Sequence, residues 1–312
     1  MTSLGEFGLI ARLIRGRIQP ASTLLGPGDD AAVVAAPDSR VVVSTDMLVE
    51  GVHFRLDWSS PEQVGRKAAA VNIADVVAMG AMPTALLIGL GCPPDTSLAT
   101  VEELTEGLWA EAGSVGAGVV GGDVVSAPQI VVSVTVLADL GGRAPVTRAG
   151  ARPGDVLALA GRVGWAAAGL DLLAKGLGTP PEVVGAQQVP CPPYLAGPAA
   201  ALVGATAMID ISDGLLADVG HLARSSGVAV DVRSAALVVP APLREAAVAL
   251  GLDPMRWLLT GGEDHALAAT FPADTALLTG WTRIGVVREG TGVYLDGQVH
   301  DGAAGWDHFA SA

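Results

Sequence analysis

Six short acidic motifs recur along the chain, each beside glycine or a small hydroxyl residue. They are GPGDD (26–30), STD (44–46), NIAD (72–75), GGD (121–123), DISDG (210–214) and GGED (261–264). Most follow an apolar, β-branched run, which predicts carboxylates at strand ends, where loops carry chemistry on a rigid sheet. Two carboxylates about 4 Å apart repel by roughly 4 kcal/mol at an effective dielectric of about 20. If the motifs converge, a cation must lie among them, and oxygen ligands favour Mg²⁺, Mn²⁺ or Ca²⁺.

Each motif taken alone is also an ordinary turn signal, since glycine and aspartate favour tight turns. Unrelated turns need neither a common sign of charge nor a common place after β-branched strands, so the set as a whole favours metal binding. The predicted metal ligands are Asp30, Asp46, Asp75, Asp123 and Asp210, with Ser44 and Thr45 as additional oxygen donors.

Asp75 lies in an apolar helical segment, AVNIADVVAMG. A carboxylate on an apolar helix face is costly when it is buried without a partner. Asp75 therefore points to solvent or faces a cation, and the apolar surroundings favour the cation.

The DISDG motif leads directly into a predicted helix, in the segment DISDGLLADVGHLA. Ser212 or Asp213 is placed to cap that helix, and the same N-terminus accepts phosphate, so the structural and functional interpretations are compatible. Asp218, inside the helix, is expected to face solvent.

Two basic residues lie near these motifs. His53 follows the STD motif by seven residues, which places it near the predicted site, although an isolated histidine is more often structural. Arg148 lies in the segment PVTRAGARPGD. It is either a solvated linker arginine or a phosphate ligand, a role that suits the planar guanidinium group.

The net charge of −14 argues against nucleic acid as a partner, because binding a phosphate backbone requires a basic face. The chain has only two lysines and contains no GxxxxGK[ST], GxSxG, HExxH or protein-kinase signature, and no GxGxxG after a first strand. A phosphate-binding enzyme of this composition must use arginine, backbone N–H groups or metal ions.

Neither a membrane span nor a signal peptide is predicted. The uncharged stretch 76–94 is interrupted by Pro83 and several glycines and is flanked by Asp75 and Asp95, so we interpret it as a helix end, a turn and a core strand. Cys92 and Cys191 have no metal-binding or redox spacing. A disulfide is possible but not indicated, and a cytoplasmic location is expected.

Strands and helices alternate in both halves, which predicts an α/β protein of the α+β type with mixed sheets. Glycine-rich turns between residues 141 and 155 predict a domain boundary. The N-terminal domain is expected at 1–142 and the C-terminal domain at 150–312. Residues 178–198 predict a loop with little regular structure. Strands are expected near 31–34, 41–45, 85–90, 130–138, 156–160, 207–211, 228–232 and 266–271, followed by one more helix and two strands.

In their order along the chain, the motifs resemble the thiamine-monophosphate kinase family, whose superfamily includes aminoimidazole ribonucleotide synthase, selenophosphate synthetase and a hydrogenase maturation protein. The resemblance covers nearly the whole chain and rests on GEFGLIARL, GDDAAV, STDMLVEGVHF, KAAAVNIADVVAMGA, GGD, TRAGARPGD, DISDGLLADVGH, TGGEDHAL and GWDHF. The chain has neither the reactive N-terminal cysteine expected of selenophosphate synthetase nor the C-terminal cysteine tail expected of the hydrogenase maturation protein.

The resemblance implies ATP-dependent phosphorylation of thiamine monophosphate to thiamine diphosphate, the last step of thiamine diphosphate biosynthesis. It implies direct in-line transfer with several Mg²⁺ ions and no phosphoenzyme. No general base is expected, because a phosphate monoester is mostly deprotonated at neutral pH. The resemblance implies a two-domain aminoimidazole ribonucleotide synthase-like fold, a C-terminal α/β domain, and a homodimer whose N-terminal sheets join into a barrel. The implied metal ligands are Asp30, Ser44, Thr45, Asp46, Asp75, Asp123, Asp210 and Asp213; Gly122, Asp123, Arg148 and Ser212 would contact ATP, and His53, Glu263 and Trp306 the thiamine substrate.

One position departs from the family pattern, because His265 stands in TGGEDHAL where an aromatic residue, typically tyrosine, is expected. Two alternatives stay open. One is another ATP-dependent enzyme of the same superfamily acting on a different small metabolite. The other is a non-catalytic metal-binding dimer with Ca²⁺ or Mg²⁺ in the acidic turns, although the chain has no D-x-[DN]-x-[DN]-G loop.

Overall fold

The computed structural model describes residues 5–27, 31–300 and 305 of the 312-residue chain. These residues fall into two compact units. The first lies within 1–76 and 81–144, and the second within 77–80 and 145–312. The prediction of an α/β protein with mixed sheets is confirmed, since each unit contains a sheet with both parallel and antiparallel pairs.

The first unit is built on a four-stranded sheet with the strand order β3-β6-β4-β5, in which only β4 and β5 are parallel. A small antiparallel pair, β1 and β2, precedes it. In chain order the elements are α1 (Gly5–Ile14), β1 (Thr23–Leu25), β2 (Val33–Val34), β3 (Val42–Val49), α2 (Pro61–Ala78), β4 (Met82–Cys92), α3 (Leu98–Ser114), β5 (Gly118–Ser126) and β6 (Val131–Asp139).

Helices α2 and α3 touch backbone to backbone through two glycines. A Cβ atom on Gly65 would lie 1.9 Å from the carbonyl oxygen of Leu104, and one on Gly107 would lie 2.0 Å from that of Glu62. Any side chain at either position would push the helices apart. Their close packing holds α2, which carries the NIAD motif, in a fixed position.

The second unit is built on a seven-stranded sheet with the strand order β13-β12-β9-β11-β7-β10-β8, antiparallel except for β9 and β12. Its hydrophobic core lies between this sheet and the helices of the unit. The elements are β7 (Val156–Ala160), α4 (Trp165–Ala174), α5 (Pro181–Gln188), α6 (Ala196–Leu202), β8 (Ala207–Ile211), α7 (Leu215–Ser226), β9 (Ala229–Val232), a 3₁₀ turn (Ser234–Ala236), α8 (Ala241–Leu250), α9 (Pro254–Thr260), β10 (Ala266–Phe271), β11 (Trp281–Arg288), β12 (Gly292–Leu295) and β13 (Gln298–Val299).

The structure corrects two predictions of secondary structure in this unit. Residues 178–198 are not a loop, because α5 and the start of α6 lie there. Pro181 occupies the first turn of α5, where proline is tolerated, and Val183 and Val184 are buried. Between β10 and β11, residues 272–280 form turns rather than the expected helix, and three strands rather than two follow.

Acidic motifs were also expected at strand ends, and this is wrong for two of them. Ser44, Thr45 and Asp46 lie in the middle of β3, and Asp123 lies inside β5. The apolar residues that follow STD continue the strand, so the motif does not end it. The 76–94 stretch forms the end of α2, a turn and β4 as predicted, and none of the helices in the described residues is long and apolar enough to cross a membrane.

Candidate active site

The STD and NIAD motifs meet where β3 crosses α2. The Ser44 hydroxyl donates to Asp75 Oδ2 at 2.6 Å, and the Asp46 backbone N–H donates to Asn72 Oδ1 at 2.7 Å. Asn72 is buried and donates in turn to the Ala68 carbonyl at 2.9 Å. Asp75 thus neither points freely to solvent nor depends on a cation alone, because a hydroxyl partner lies beside it.

Thr45 and Asp46 are exposed neighbours in this strand. Thr45 Oγ1 donates to the Val134 carbonyl at 3.0 Å and accepts from Thr135 Oγ1 at 3.0 Å, so β6 fixes its orientation. Ser44 and Asp46 belong to the sheet face that packs on α2, and with Asp75 they supply the hydroxyl and carboxylate oxygens that hard divalent cations prefer. Thr45, the residue between them, belongs to the opposite face. The structure therefore brings Ser44, Asp46 and Asp75 together in the first unit and leaves Thr45 apart from them.

His53 lies in the turn after β3 and is held at three points. The Val49 N–H donates to His53 Nδ1 at 3.1 Å, and the His53 N–H donates to the Val49 carbonyl at 2.9 Å. The Lys67 ammonium donates to the His53 carbonyl at 3.0 Å. Because Nδ1 accepts a hydrogen bond, the neutral ring carries its proton on Nε2.

Gly122 and Asp123 lie on β5, at the other edge of the sheet from β3, with β6 and β4 between them. Both are exposed, and the Val124 N–H donates to Asp123 Oδ1 at 2.9 Å. A Cβ atom at Gly122 would lie 2.2 Å from the Ile88 carbonyl oxygen, so only glycine fits there. In the sheet, Asp123 is therefore not a neighbour of Asp46.

In the second unit the DISDG turn is closed by Asp218, a residue expected to face solvent. Asp218 is buried, and its Oδ2 accepts the N–H groups of Ser212, Asp213 and Gly214 at 3.0, 3.0 and 3.1 Å. Neither Ser212 nor Asp213 caps α7, since no side chain hydrogen-bonds at its N-cap, Gly214. The cap is replaced by a carboxylate from the first turn of the helix, so the side chains of Ser212 and Asp213 are not used for capping.

Burial raises the pKa of Asp218 to about 7, and the nearby Asp210 carboxylate contributes to the increase, while the Asp213 N–H opposes it. A carboxyl group in this position carries a proton more readily than an exposed aspartate. The turn is thus tightly hydrogen-bonded and electrostatically crowded with acidic groups.

The GGED loop lies directly on the DISDG turn. The Glu263 N–H donates to the Ser212 carbonyl at 2.8 Å, and a Cβ atom at Gly262 would lie 2.2 Å from the same oxygen. Glu263 and His265 both have positive φ, 65° and 52°, a conformation that non-glycine residues rarely adopt. The Glu263 carboxylate accepts from Gln187 Nε2 at 3.2 Å. The structure therefore groups Ser212, Asp213 and Glu263.

Asp210 is buried at the end of β8 and pairs with His265, whose Nδ1 lies 3.1 Å from Asp210 Oδ2. The residue that departs from the family pattern is thus the direct partner of a predicted metal ligand.

Asp264 holds the N-terminus of α4, with its two oxygens accepting the N–H groups of Trp165 and Ala166, both at 3.0 Å. Burial raises its pKa to about 7 against the opposing effects of the Ala166 N–H and of Arg162. The last acid of the GGED motif is therefore structural, and Glu263 is left for ligand binding.

Arg148 is exposed, and its carbonyl accepts from Ser226 Oγ at 2.9 Å, which ties the segment before β7 to the end of α7. Asp30 and Trp306 lie outside the described residues. Among residues 5–27, 31–300 and 305, no three His, Cys, Asp or Glu side chains form a group that could hold a metal ion. The metal-ligand roles of the acidic motifs remain predictions.

A family model for the N-terminal domain of AIR synthase related proteins matches residues 28–139. The thiamine-monophosphate kinase of Mycobacterium tuberculosis (strain ATCC 25618 / H37Rv) is 55% identical over 311 residues, which cover 99% of this chain and 93% of that protein. The chain belongs to the thiamine-monophosphate kinase family. The Corynebacterium glutamicum thiamine-monophosphate kinase is 44% identical over 295 residues, covering 91% of this chain and 86% of that protein.

The fold agrees with this membership. The solved structure of AaThiL complexed with AMPPCP and TMP superposes with a TM-score of 0.83 at 34% identity, covering 99% of this chain and 98% of that one. The resemblance to the thiamine-monophosphate kinase family and the two-domain aminoimidazole ribonucleotide synthase-like fold that it implied are both confirmed.

Four supporting residues of this thiamine-monophosphate kinase family member escaped the sequence analysis. Asn72 anchors the STD strand, Lys67 holds the His53 turn, Asp218 closes the DISDG turn and His265 pairs with Asp210. Lys67 offered a signal, because it is one of two lysines and lies in an apolar helix. The partners of Asn72 and His265 lie 26 and 55 residues away in the chain, so no local pattern encodes them, whereas Asp218 accepts from residues only four to six positions before it.

Proposed function

We propose that this chain catalyses the ATP-dependent phosphorylation of thiamine monophosphate to thiamine diphosphate. The observation that carries the proposal is the 55% identity to the M. tuberculosis thiamine-monophosphate kinase over 99% of the chain. The match to AaThiL, solved in complex with AMPPCP and TMP, supports a nucleotide and a phosphate ester as its two ligands.

The reaction is an in-line attack of a phosphate oxygen of thiamine monophosphate on the γ-phosphorus of ATP, with ADP leaving. This nucleophile needs no general base, because the second pKa of a phosphate monoester lies near 6 and the group is mostly deprotonated at neutral pH. The work of the protein is to bind and align two anions that repel each other.

The oxygen donors of the first unit fit magnesium, because Ser44, Asp46 and Asp75 present hydroxyl and carboxylate groups where β3 packs on α2. Thr45, on the opposite face of β3, is a further proposed ligand. Bound Mg²⁺ would neutralise phosphate charge and orient the reacting oxygens. Asp30 and Asp123 in the first unit, and Asp210 and Asp213 in the second, are the further proposed ligands.

The remaining roles follow the motifs. We assign ATP contacts to Gly122, Asp123, Arg148 and Ser212, and thiamine monophosphate contacts to His53, Glu263 and Trp306. One observation supports part of this set, because Glu263 is held in a left-handed conformation beside Ser212.

A homodimer formed through the first unit is part of the proposal. Val43, Met47, Leu87 and Val125 lie on the sheet with 62%, 53%, 39% and 53% of their surface exposed. In β3, Val43 and Met47 alternate with Ser44, whose side chain contacts α2, so they belong to the opposite sheet face. An apolar sheet face of this kind is typical of a protein interface. A cytoplasmic location is consistent with Cys92 and Cys191, which are both free thiols.

The test is direct turnover. Purified chain with ATP, Mg²⁺ and thiamine monophosphate should release thiamine diphosphate and ADP, and chelation of Mg²⁺ should stop the reaction. Release of ADP only with another phosphorylated metabolite would favour a different enzyme of the superfamily. Metal binding with no affinity for an ATP analogue by calorimetry would favour the non-catalytic alternative.

A further inference from the structure

A cavity of about 290 Å³ lies in the second unit, between α7 and strand β12. One face of α7 lines it with Leu216, Gly220, His221 and Arg224, and Val293 and His300 line the opposite side. None of these residues belongs to the metal, ATP or thiamine sets proposed above. Two histidines and one arginine in a single cavity are notable in a chain with five histidines and a net charge of −14.

The hydrogen bond between Arg224 and His221 shows which side-chain groups of the cavity can donate to a ligand. Arg224 Nη2 lies 3.0 Å from His221 Nδ1. Because a guanidinium group only donates, His221 Nδ1 must accept, and the neutral imidazole then carries its proton on Nε2. Arg224 and the Nε2–H of His221 are therefore both donors, and such a pair suits a ligand rich in acceptor oxygens.

Two arginine side chains place positive charge near His221. Burial lowers the pKa of His221, and the positive charges of Arg224 and Arg148 lower it further, while Asp213 opposes them. Two positive charges and one negative charge therefore lie near His221.

A glycine of α7 lies beside the Arg224 guanidinium. A Cβ atom at Gly220 would lie 3.3 Å from Arg224 Nη1 and 3.6 Å from Val293 Cγ2. Alanine at this position would favour the helix by about 1 kcal/mol and would displace the guanidinium group by a few tenths of an ångström. Leu216 and Val293 add apolar wall, and the volume is close to the lower end of small-molecule sites, about 300 Å³.

We propose that this cavity binds a phosphate-bearing anion through Arg224 and His221, with His300 on the opposite wall. The inference goes beyond the proposed kinase activity and does not depend on it. The phosphate group is the shared chemistry, and it belongs either to a nucleotide or to a free phosphate compound. The donors Arg224 and His221 and the apolar residues Leu216 and Val293 could accommodate either a nucleotide or a free phosphate compound.

Histidine-ring NMR of the full-length chain tests the proposal, because the chain has only five histidines and His221→Gln and His300→Gln assign the two signals. Pyrophosphate and ADP are titrated separately. We expect the His221 and His300 signals to shift with a dissociation constant of about 1 mM or lower. A pyrophosphate response as strong as that to ADP indicates a free phosphate compound, and a much tighter ADP response indicates a nucleotide.

Variants make the test specific to the cavity. Arg224→Gln should weaken binding by about 10-fold or more, as expected for loss of a charge-assisted hydrogen bond. Gly220→Ala, which favours the helix, should weaken binding without loss of thermal stability. Arg256→Gln, an exposed helical arginine outside the cavity lining, is the matched control and should bind as the wild type does.

The proposal is overturned if neither probe shifts His221 and His300, or if Arg224→Gln binds both probes as tightly as the wild-type chain. Kinase turnover is measured separately on the same preparations. An inactive, folded chain whose His221 signal still responds to phosphate would overturn the proposed activity and leave the anion site intact.

Discussion

The ammonium group of Lys67 donates to the backbone carbonyl of His53 at 3.0 Å, and this lysine is 1% exposed. A lysine is rarely buried to this extent unless a specific partner stabilises its charge. The bond joins the middle of α2 to the turn that carries a proposed thiamine ligand. Lys67 is therefore a positioning residue for His53.

Replacement of Lys67 tests this role. Lys67→Met keeps the length of the side chain and removes the donor, which should raise the KM for thiamine monophosphate several-fold more than it changes the KM for ATP. Steady-state kinetics with each substrate varied in turn measures the difference. Lys175→Met removes the other lysine, which is exposed on the end of α4, and should leave both constants unchanged. Equal effects on the two KM values would contradict a specific link to His53.

Asp75 is expected to set the magnesium requirement. Asp75→Asn removes one negative charge beside Ser44 and Asp46. The Mg²⁺ concentration for half-maximal turnover should then rise by about 10-fold or more, which is the usual loss of metal affinity when a residue around a bound metal is replaced. Ser44→Ala should cause a smaller rise, because it removes the hydroxyl that donates to Asp75. Asp57→Asn, at an exposed carboxylate paired with Arg55, is the control. An unchanged Mg²⁺ requirement in Asp75→Asn would remove Asp75 from the ligand set.

The DISDG turn should depend on Asp218 for stability. Asp218→Ala leaves three backbone N–H groups without their acceptor and should lower the free energy of unfolding by about 2–4 kcal/mol. Asp218→Asn retains one oxygen acceptor and should lose less. Asp253 caps α9 through one hydrogen bond, from the Met255 N–H. Asp253→Ala should therefore lower the free energy of unfolding by about 1 kcal/mol, and it is the reference variant when both are measured by urea denaturation. If Asp218→Ala lowers the free energy of unfolding no more than Asp253→Ala does, the three hydrogen bonds to Asp218 do not stabilise the turn as proposed.

The pH dependence of stability should report on Asp264. Its pKa of about 7 in the folded chain lies above its ordinary value of 3.8, so folding favours the protonated form. The contribution is present below the unfolded pKa and is lost as the pH rises through about 7.

Asp264→Asn is uncharged at every pH and should therefore lower the free energy of unfolding less at about pH 8 than at about pH 5. Leu222→Ala removes a fully buried apolar side chain from the same unit and should cost the same at both values. Urea denaturation at the two pH values measures both variants. If Asp264→Asn lowers the free energy of unfolding more at about pH 8 than at about pH 5, folding does not favour the protonated form of Asp264.

The exposed face of the first sheet should control assembly. Met47→Glu places a charge on the apolar face that includes Val43 and Leu87, and it should convert a dimer to a monomer in sedimentation or light scattering. Val248→Glu, at a residue 84% exposed on α8 of the second unit, is the matched control. A wild-type chain that is already monomeric would overturn the dimer.

Much of the architecture was readable from local pattern. The β-branched runs around residues 130–138 and 207–211 predicted β6 and β8. The α5 helix escaped because its sequence, PEVVGAQQ, is weak by propensity. Burial of its valines against neighbouring elements decides its structure.

The acidic motifs and the family to which they belong were determined by the sequence alone, because residue type and order along the chain are local properties. Their partners were decided by tertiary structure. His265 became the partner of Asp210 because β10 pairs with β8. Asp218 accepts from N–H groups only four to six residues before it, so its bonds are local, and it is the burial of Asp218 that the tertiary structure decided. Hydrogen bonds between residues 55 positions apart have no local signal, since only packing sets which buried polar groups must satisfy each other.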